Sequence, residues 1–269
     1  MQLGSITDKS GAVTLLNLTS VFNQGEIDRD KPTVSTQVEQ ACGNLTTHVS
    51  GVILEPINGF EAIEKKAAGC GLVLSLAQTK EETSPIELPV YYPNWGVEFV
   101  RQNYGLAHLK LFYHPQEELG ADKLQVVAEI YDHCLYEGIE LVLELSLFAL
   151  DDKKNTLEQF QESQLLAAQD MRDKCHLMVL EYPHSALACA TLTAQLDVPW
   201  LLIDRTPTYS EFKEQVRTAM ESGAKGVVIG DVVWQGVEEE EFEKFCNTTA
   251  RDRVIEIARI AQENMAPAK

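Results

Sequence analysis

Short apolar runs recur along the chain at residues 12–18, 50–55, 70–76, 106–113, 139–145, 176–182, 198–203 and 225–230. They are rich in leucine and β-branched residues and show little polar alternation, which marks strands buried on both faces. Between them lie segments with helical spacing, at 34–48, 58–68, 96–103, 121–137, 155–173, 185–195 and 209–222. A last helix opens at the acidic stretch 238–241, where carboxylates favour the positive end of the helix dipole. Gly69, Gly138 and Gly223 follow helical segments as stop signals, and Pro56 ends the second apolar run. Residues 79–92, with Pro85 and Pro89, read as a loop longer than usual, and such loops are often functional.

Strands and helices in strict alternation predict parallel pairing with right-handed crossovers, and eight such units close on themselves. The expected fold is α/β, a (β/α)8 barrel in a single domain over 1–269. The barrel should span about residues 12–236, with a closing helix after it. The alternative is a doubly wound open sheet, but nothing matches G-x-G-x-x-G or G-x-x-x-x-G-K-[ST]. A length of 269 residues suits one barrel.

Barrels of this kind keep their chemistry at the C-terminal ends of the strands. Those ends supply Asn17, Glu55, Gln78, Lys110, His114, Glu144, Glu181, Asp204, Arg205, Asp231 and Trp234. Glu144 is the anomaly, because a charged side chain in an apolar run is rarely fully buried unless paired or functional. Alternation puts Lys110 on one face with His108 and Phe112, Glu144 with Val142, and Glu181 with Val179. Lys110 and Glu144 on neighbouring strands could therefore pair inside the barrel and are the candidate catalytic residues. A desolvated lysine can form a Schiff base while a nearby carboxylate moves its protons; the competing reading is a structural ion pair.

Glu55, Glu181, Asp204, Arg205, Asp231 and Trp234 are the candidate substrate-binding residues. Arg205 suits an anionic group, and Trp234 reads first as a cap on the barrel. Glu55, Glu144, Glu181, Asp204 and Asp231 could also form a carboxylate ring for a divalent cation. Without H-E-x-x-H or paired C-x-x-C motifs, however, no metal and no cofactor are expected.

Composition narrows the partners. The chain has 41 acidic and 22 basic residues, for a formal charge of -19. Such a surface argues against nucleic acid and anionic membranes. Residues 1–11 lack a basic region followed by an apolar one, and no apolar run is long enough to span a bilayer. The six cysteines form no C-x-x-C and read as free buried thiols, so a cytoplasmic location is expected. A homo-oligomer is compatible with all of this.

Five segments carry a family resemblance: Gly51-Val52-Ile53-Leu54-Glu55-Pro56, Leu109-Lys110-Leu111, Leu143-Glu144, Leu180-Glu181-Tyr182-Pro183, and Gly226-Val227-Val228-Ile229-Gly230 running to Trp234 and Gly236. In their order and spacing the chain resembles the tagatose 1,6-bisphosphate aldolases and the related sulfofructose-phosphate aldolases, class I Schiff-base enzymes on a (β/α)8 barrel. Lys110 and Glu144 match positions where that family carries an active-site lysine and glutamate. The departures are large. The position of the family's Schiff-base lysine is Val179. Leu18, Thr19 and Ser20 stand where the family has an Asp-Gln-Arg run, and Asp204-Arg205-Thr206 replaces its small phosphate loop. Asp231 stands for its phosphate-binding arginine, and Glu55 for an aspartate. Lys174 precedes the sixth strand and belongs at the opposite end of the barrel. The resemblance thus implies either a diverged carbon–carbon lyase acting on a small carbonyl or sugar-derived compound through Lys110, or a non-catalytic homologue that binds a metabolite or protein. The transaldolases are similar in placing their lysine on a fourth strand. A metal-assisted enzyme using the carboxylate ring is a third alternative.

Overall fold

The computed structural model describes residues 2–19, 32–78, 87–150, 156–206, 208–237 and 241–266. Parallel strands β1 (Val13–Asn17), β2 (Gly51–Leu54), β3 (Gly71–Ser75), β4 (Leu106–Phe112), β5 (Leu141–Ser146), β6 (Leu177–Leu180), β7 (Trp200–Ile203) and β8 (Gly226–Ile229) pair in chain order, and β8 returns to β1. The expected barrel is the barrel observed. Around it lie α1 (Pro32–Leu45), the single turn α2 (Pro56–Gly59), α3 (Val97–Gln102), α4 (Gly120–Glu137), α5 (Leu157–Met171), α6 (Ala186–Gln195) and α7 (Tyr209–Glu221). The chain closes with α8 (Phe242–Phe245), a π-helical turn (Cys246–Ala250) and α9 (Arg251–Glu263).

Local chemistry explains the helix ends. Thr156 and Gln159 form a capping box at α5, and the hydroxyls of Ser185 and Thr208 accept N–H bonds at the starts of α6 and α7. Gly138 ends α4 at φ 70°, a left-handed conformation that glycine adopts without steric cost.

Two apolar layers follow from strand alternation. Leu15, Ile53, Val73, Leu106, Val142, Val179, Leu201 and Val228, one from each strand, fill the barrel interior. Their neighbours Leu16, Val52, Leu72, Leu109, Leu143, Met178, Leu202 and Val227 pack outward beneath the helices. Each fully buried side chain of this kind contributes about 1.5–3 kcal/mol. The bottom of the barrel is sealed by a turn the pattern did not announce, Gln2–Ile6, whose Ile6 is fully buried in the interior layer.

Gly226 lies opposite Val13 where β8 closes on β1. A Cβ there would stand 1.8 Å from the Val13 carbonyl oxygen, which is backbone and cannot yield. Gly226→Ala is expected to cost at least the roughly 1–3 kcal/mol of an overpacked core, read as a lowered urea midpoint.

Three expectations change in detail. The helix expected at 58–68 is only α2 followed by a 3-10 turn, Glu61–Lys65, and Pro56 opens α2 instead of merely ending a strand. The region read as a loop at 79–92 is framed by a small hairpin pairing Ala77 with Tyr91 and Gln78 with Val90; residues 79–86 lie outside the described residues. Residues 238–240 of the acidic stretch also lie outside them. No described helix is long and apolar enough to cross a membrane.

Candidate active site

Register brings the central pair together. Lys110 on β4 is the lateral neighbour of Glu144 on β5, and Glu144 is in turn the neighbour of Val179 on β6. All three share the interior parity, so Lys110 and Glu144 face each other at the mouth-side end. The Lys110 ammonium is 3.9 Å from Glu144 Oε1, and its side chain is 14% exposed. It also lies 5.1 Å from the centre of the Phe112 ring, two residues along the same face.

Glu144 is the hub. Its side chain is 1% exposed, and Arg205 Nη2 donates to Oε1 at 2.7 Å. The other oxygen, Oε2, is 3.3 Å from His108 Nε2. An ionised carboxylate can only accept, so Nε2 carries the hydrogen; His108 Nδ1 then lies 3.1 Å from the Ser75 hydroxyl, which can donate to it. Burial by itself would raise the Glu144 carboxyl. The hydrogen bond from His108 and the charges of Arg205 and Lys110 outweigh it and hold the group at about 2. Glu144 therefore stays a fixed anion at neutral pH.

Glu181, inward at the end of β6, behaves differently. Burial raises its carboxyl, and the pull of Arg205 does not cancel that rise, to which Glu144 adds repulsion. It retains a proton to higher pH than an ordinary glutamate. The mouth thus holds one carboxylate locked in the charged form and one shifted the opposite way, the kind of divergence from which acid and base roles are divided.

The other candidates separate. Glu55 is buried at the end of β2 and accepts a hydrogen bond from the Tyr92 hydroxyl, which arrives from the loop before α3. Arg205 is at the mouth, but its guanidinium is engaged with Glu144 and not left as an open anion clamp. Asp204 has the opposite parity. Its Oδ2 accepts the backbone N–H groups of Gly230 at 3.1 Å and Val232 at 2.9 Å, so it staples β7 to the turn after β8 instead of facing a ligand. Asp231 opens that turn, Asp231–Trp234, near Asp204 and Arg205. Trp234 is buried in the outer layer with its ring 5.6 Å from Phe242, which fits the cap and not a ligand-stacking residue. Among the described residues the five acids of the expected ring do not converge on one point. Asn17 accepts from Thr19, Gln78 lies in the hairpin and His114 accepts from the Gln116 N–H, so none joins the cluster.

Ser75 and Tyr92 are the site residues that pattern reading leaves out, and His108, which alternation puts on the face of Lys110, gains its role only from the contact with Glu144. Ser75 has the parity signal, since it ends β3 two positions after the inward Val73. Tyr92 comes from a loop and carries no periodic signal.

Comparison with known proteins follows the same lines. No family model matches the chain. A tagatose 1,6-diphosphate aldolase of Staphylococcus aureus (strain MSSA476) is 22% identical over 243 residues, covering 77% of this chain and 74% of the relative. Among solved structures, an archaeal fructose 1,6-bisphosphate aldolase superposes with a TM-score of 0.66 at 17% identity, over 94% of this chain and 96% of that one. A Schiff-base-forming fructose-1,6-bisphosphate aldolase gives 0.65 at 19%, over 91% and 95%. The chain is similar in sequence to the tagatose aldolases, as its motifs indicated, and shares its fold with barrel aldolases.

Proposed function

We propose that the protein is an aldolase-like carbon–carbon lyase for a small sugar-derived carbonyl compound, with Lys110 as the Schiff-base amine. The observation that carries this reading is the mouth-side row of Lys110, Glu144 and Glu181 on three successive strands, in which the fixed anion Glu144 stands beside Lys110 and the carboxyl of Glu181 is shifted up. Arg205 takes the short contact to Glu144 Oε1 and leaves Lys110 the longer one to the same oxygen. A second cation beside a lysine is one of the arrangements used to activate amines for attack on carbonyls. The similarity to tagatose aldolases supports the reaction class.

In this scheme the neutral amine attacks the carbonyl carbon, and Glu181 protonates the departing oxygen, which leaves as water. The iminium then draws the electrons of the adjacent carbon–carbon bond, releasing an aldehyde, while the Glu181 carboxylate takes the proton of the cleaved alcohol. The test is borohydride trapping with dihydroxyacetone phosphate, pyruvate and simple aldehydes, read by mass spectrometry. An adduct is expected on Lys110 and should be absent in Lys110→Met. An adduct on Lys174 would overturn the assignment, because that residue lies in the turn Arg172–Lys174 that feeds β6 from the other end of the barrel.

A second reading, a non-catalytic binder, is favoured by one observation. Val179, where the resembled family places its nucleophile, is fully buried among apolar neighbours, and both oxygens of Glu144 are occupied. Absence of an adduct with every carbonyl tested would select it. Under both readings a doubly phosphorylated sugar is a poor ligand. Arg205 and Lys110 are compensated by Glu144, and Asp231 adds negative charge beside them. Calorimetric titration with tagatose 1,6-bisphosphate is expected to show no micromolar binding.

A further inference from the structure

We infer that Glu98, His133 and Glu137 form a binding site for a divalent transition metal, best matched to Zn2+, on the outer face of the barrel between α3 and α4. His133 and Glu137 are four residues apart and share one face at the end of α4. Glu98, in the first turn of α3, meets them: its Oε1 is 3.1 Å from His133 Nε2. One ligand atom from each of the three residues lies within 4.8 Å of the others, and no other such group of histidine, cysteine and acidic residues occurs among the described residues.

The donor chemistry is specific. One imidazole with two carboxylates suits zinc, for which three protein ligands and one open position are a common arrangement. The two carboxylates neutralise the dication. The C-terminus of α4 adds its negative dipole end, and the chain as a whole is strongly acidic. Thiols do not compete: burial pushes five of the six cysteines up to about 12 and Cys246 to about 11, so they are neutral.

A separate observation points to a ligand beside the ion. A cavity of about 650 Å3 adjoins the triad, bounded by Glu98, His133, Glu129, Tyr91, Trp95 and Phe99. The indole N–H of Trp95 in its wall is buried without a hydrogen-bond partner. An ion held by Glu98 and His133 borders this space and can present its open position to an oxygen donor there. One group stands in the way: Arg101 Nε is 3.5 Å from Glu137 Oε2. The arginine side chain is 62% exposed, so the pair is weak and easily displaced.

The test uses the full chain stripped by a chelator, then titrated with Zn2+ by calorimetry and with Co2+ by visible absorption. One saturable micromolar site with a tetrahedral Co2+ band is expected. Glu98→Gln and His133→Ala should each weaken it by about tenfold or more, Arg101→Met should tighten it, and Lys110→Met should leave it unchanged. Circular dichroism verifies that the variants are folded. No saturation below millimolar metal would overturn the inference. So would full-strength binding in the Glu98→Gln/His133→Ala double variant, or weaker binding in Arg101→Met.

Discussion

Glu144→Leu is expected to lower folding stability by about 3–5 kcal/mol, the cost of breaking a buried ion pair from one side. The melting temperature should fall on the order of 10 °C in a chain of this size. The reason is what the change leaves behind. The Arg205 guanidinium and the Lys110 ammonium lose their shared oxygen, and buried His108 loses its acceptor. The three groups converge on one 1%-exposed carboxylate, and His108, itself 2% exposed, is out of reach of water, whereas Arg205 at 30% is partly hydrated, which places the loss toward the lower end of that range. Arg205→Leu alone should also destabilise, by less, because Lys110 and His108 still serve Glu144. The pair Glu144→Leu/Arg205→Leu should be less damaging than the sum, since the arginine is no longer stranded. Urea unfolding of the four proteins measures this cycle. A strictly additive result would mean that the contact contributes little.

Asp204→Asn is expected to raise stability above pH 7 by a few kcal/mol and to change it little near pH 4. Burial pushes the Asp204 carboxyl up to about 7, against the opposing hydrogen bond from Val232 and with added repulsion from Asp231. Its folded value thus lies above the ordinary 3.8. The folded state holds the proton more tightly, so this group's contribution is full below about pH 4 and declines as pH rises to about 7. The difference corresponds to on the order of 4 kcal/mol. An asparagine oxygen can accept both backbone N–H groups now bound by Oδ2 without carrying charge. Glu144 acts in the opposite sense. Its folded value of about 2 lies below the ordinary 4.5, so its contribution is present above 4.5 and is lost as pH falls toward 2. Between them the two groups place their best joint stability near pH 4–5. Denaturant midpoints across pH 3–9 should show a decline between about pH 4 and 7 that Asp204→Asn removes. A decline of unchanged depth in the variant would show that Asp204 is not its source.

Much of this could be read from the residues alone. Unbroken apolar runs separated by helical spacing mark strands covered on both faces, and eight in alternation leave a closed barrel as the simplest arrangement. Period-two alternation then placed Lys110, Glu144 and Glu181 inward at the mouth, because side-chain direction in a strand is a local property. The same rule sets Asp204 apart. Position along the chain put it at the mouth, but its parity is outward, and the backbone of the turn after β8, 26 residues away, takes its carboxylate. Trp234 reads from its position as a cap, and the structure supplies the partner of that cap, Phe242 beyond the turn.

Local pattern therefore determined the barrel, its strand order and the Lys110–Glu144 pairing, since each depends on neighbours in sequence or on adjacent strands. Only the tertiary structure decided the charge state of the site. Whether Glu144 is an acid or a fixed anion depends on Arg205 arriving from β7, 61 residues later, and on His108 lying beneath it. The Tyr92–Glu55 contact, the Ile6 plug and the Glu98–His133–Glu137 cluster likewise join segments with no shared periodicity. Electrostatic energy depends on distance and burial, and a linear chain specifies neither until it is folded.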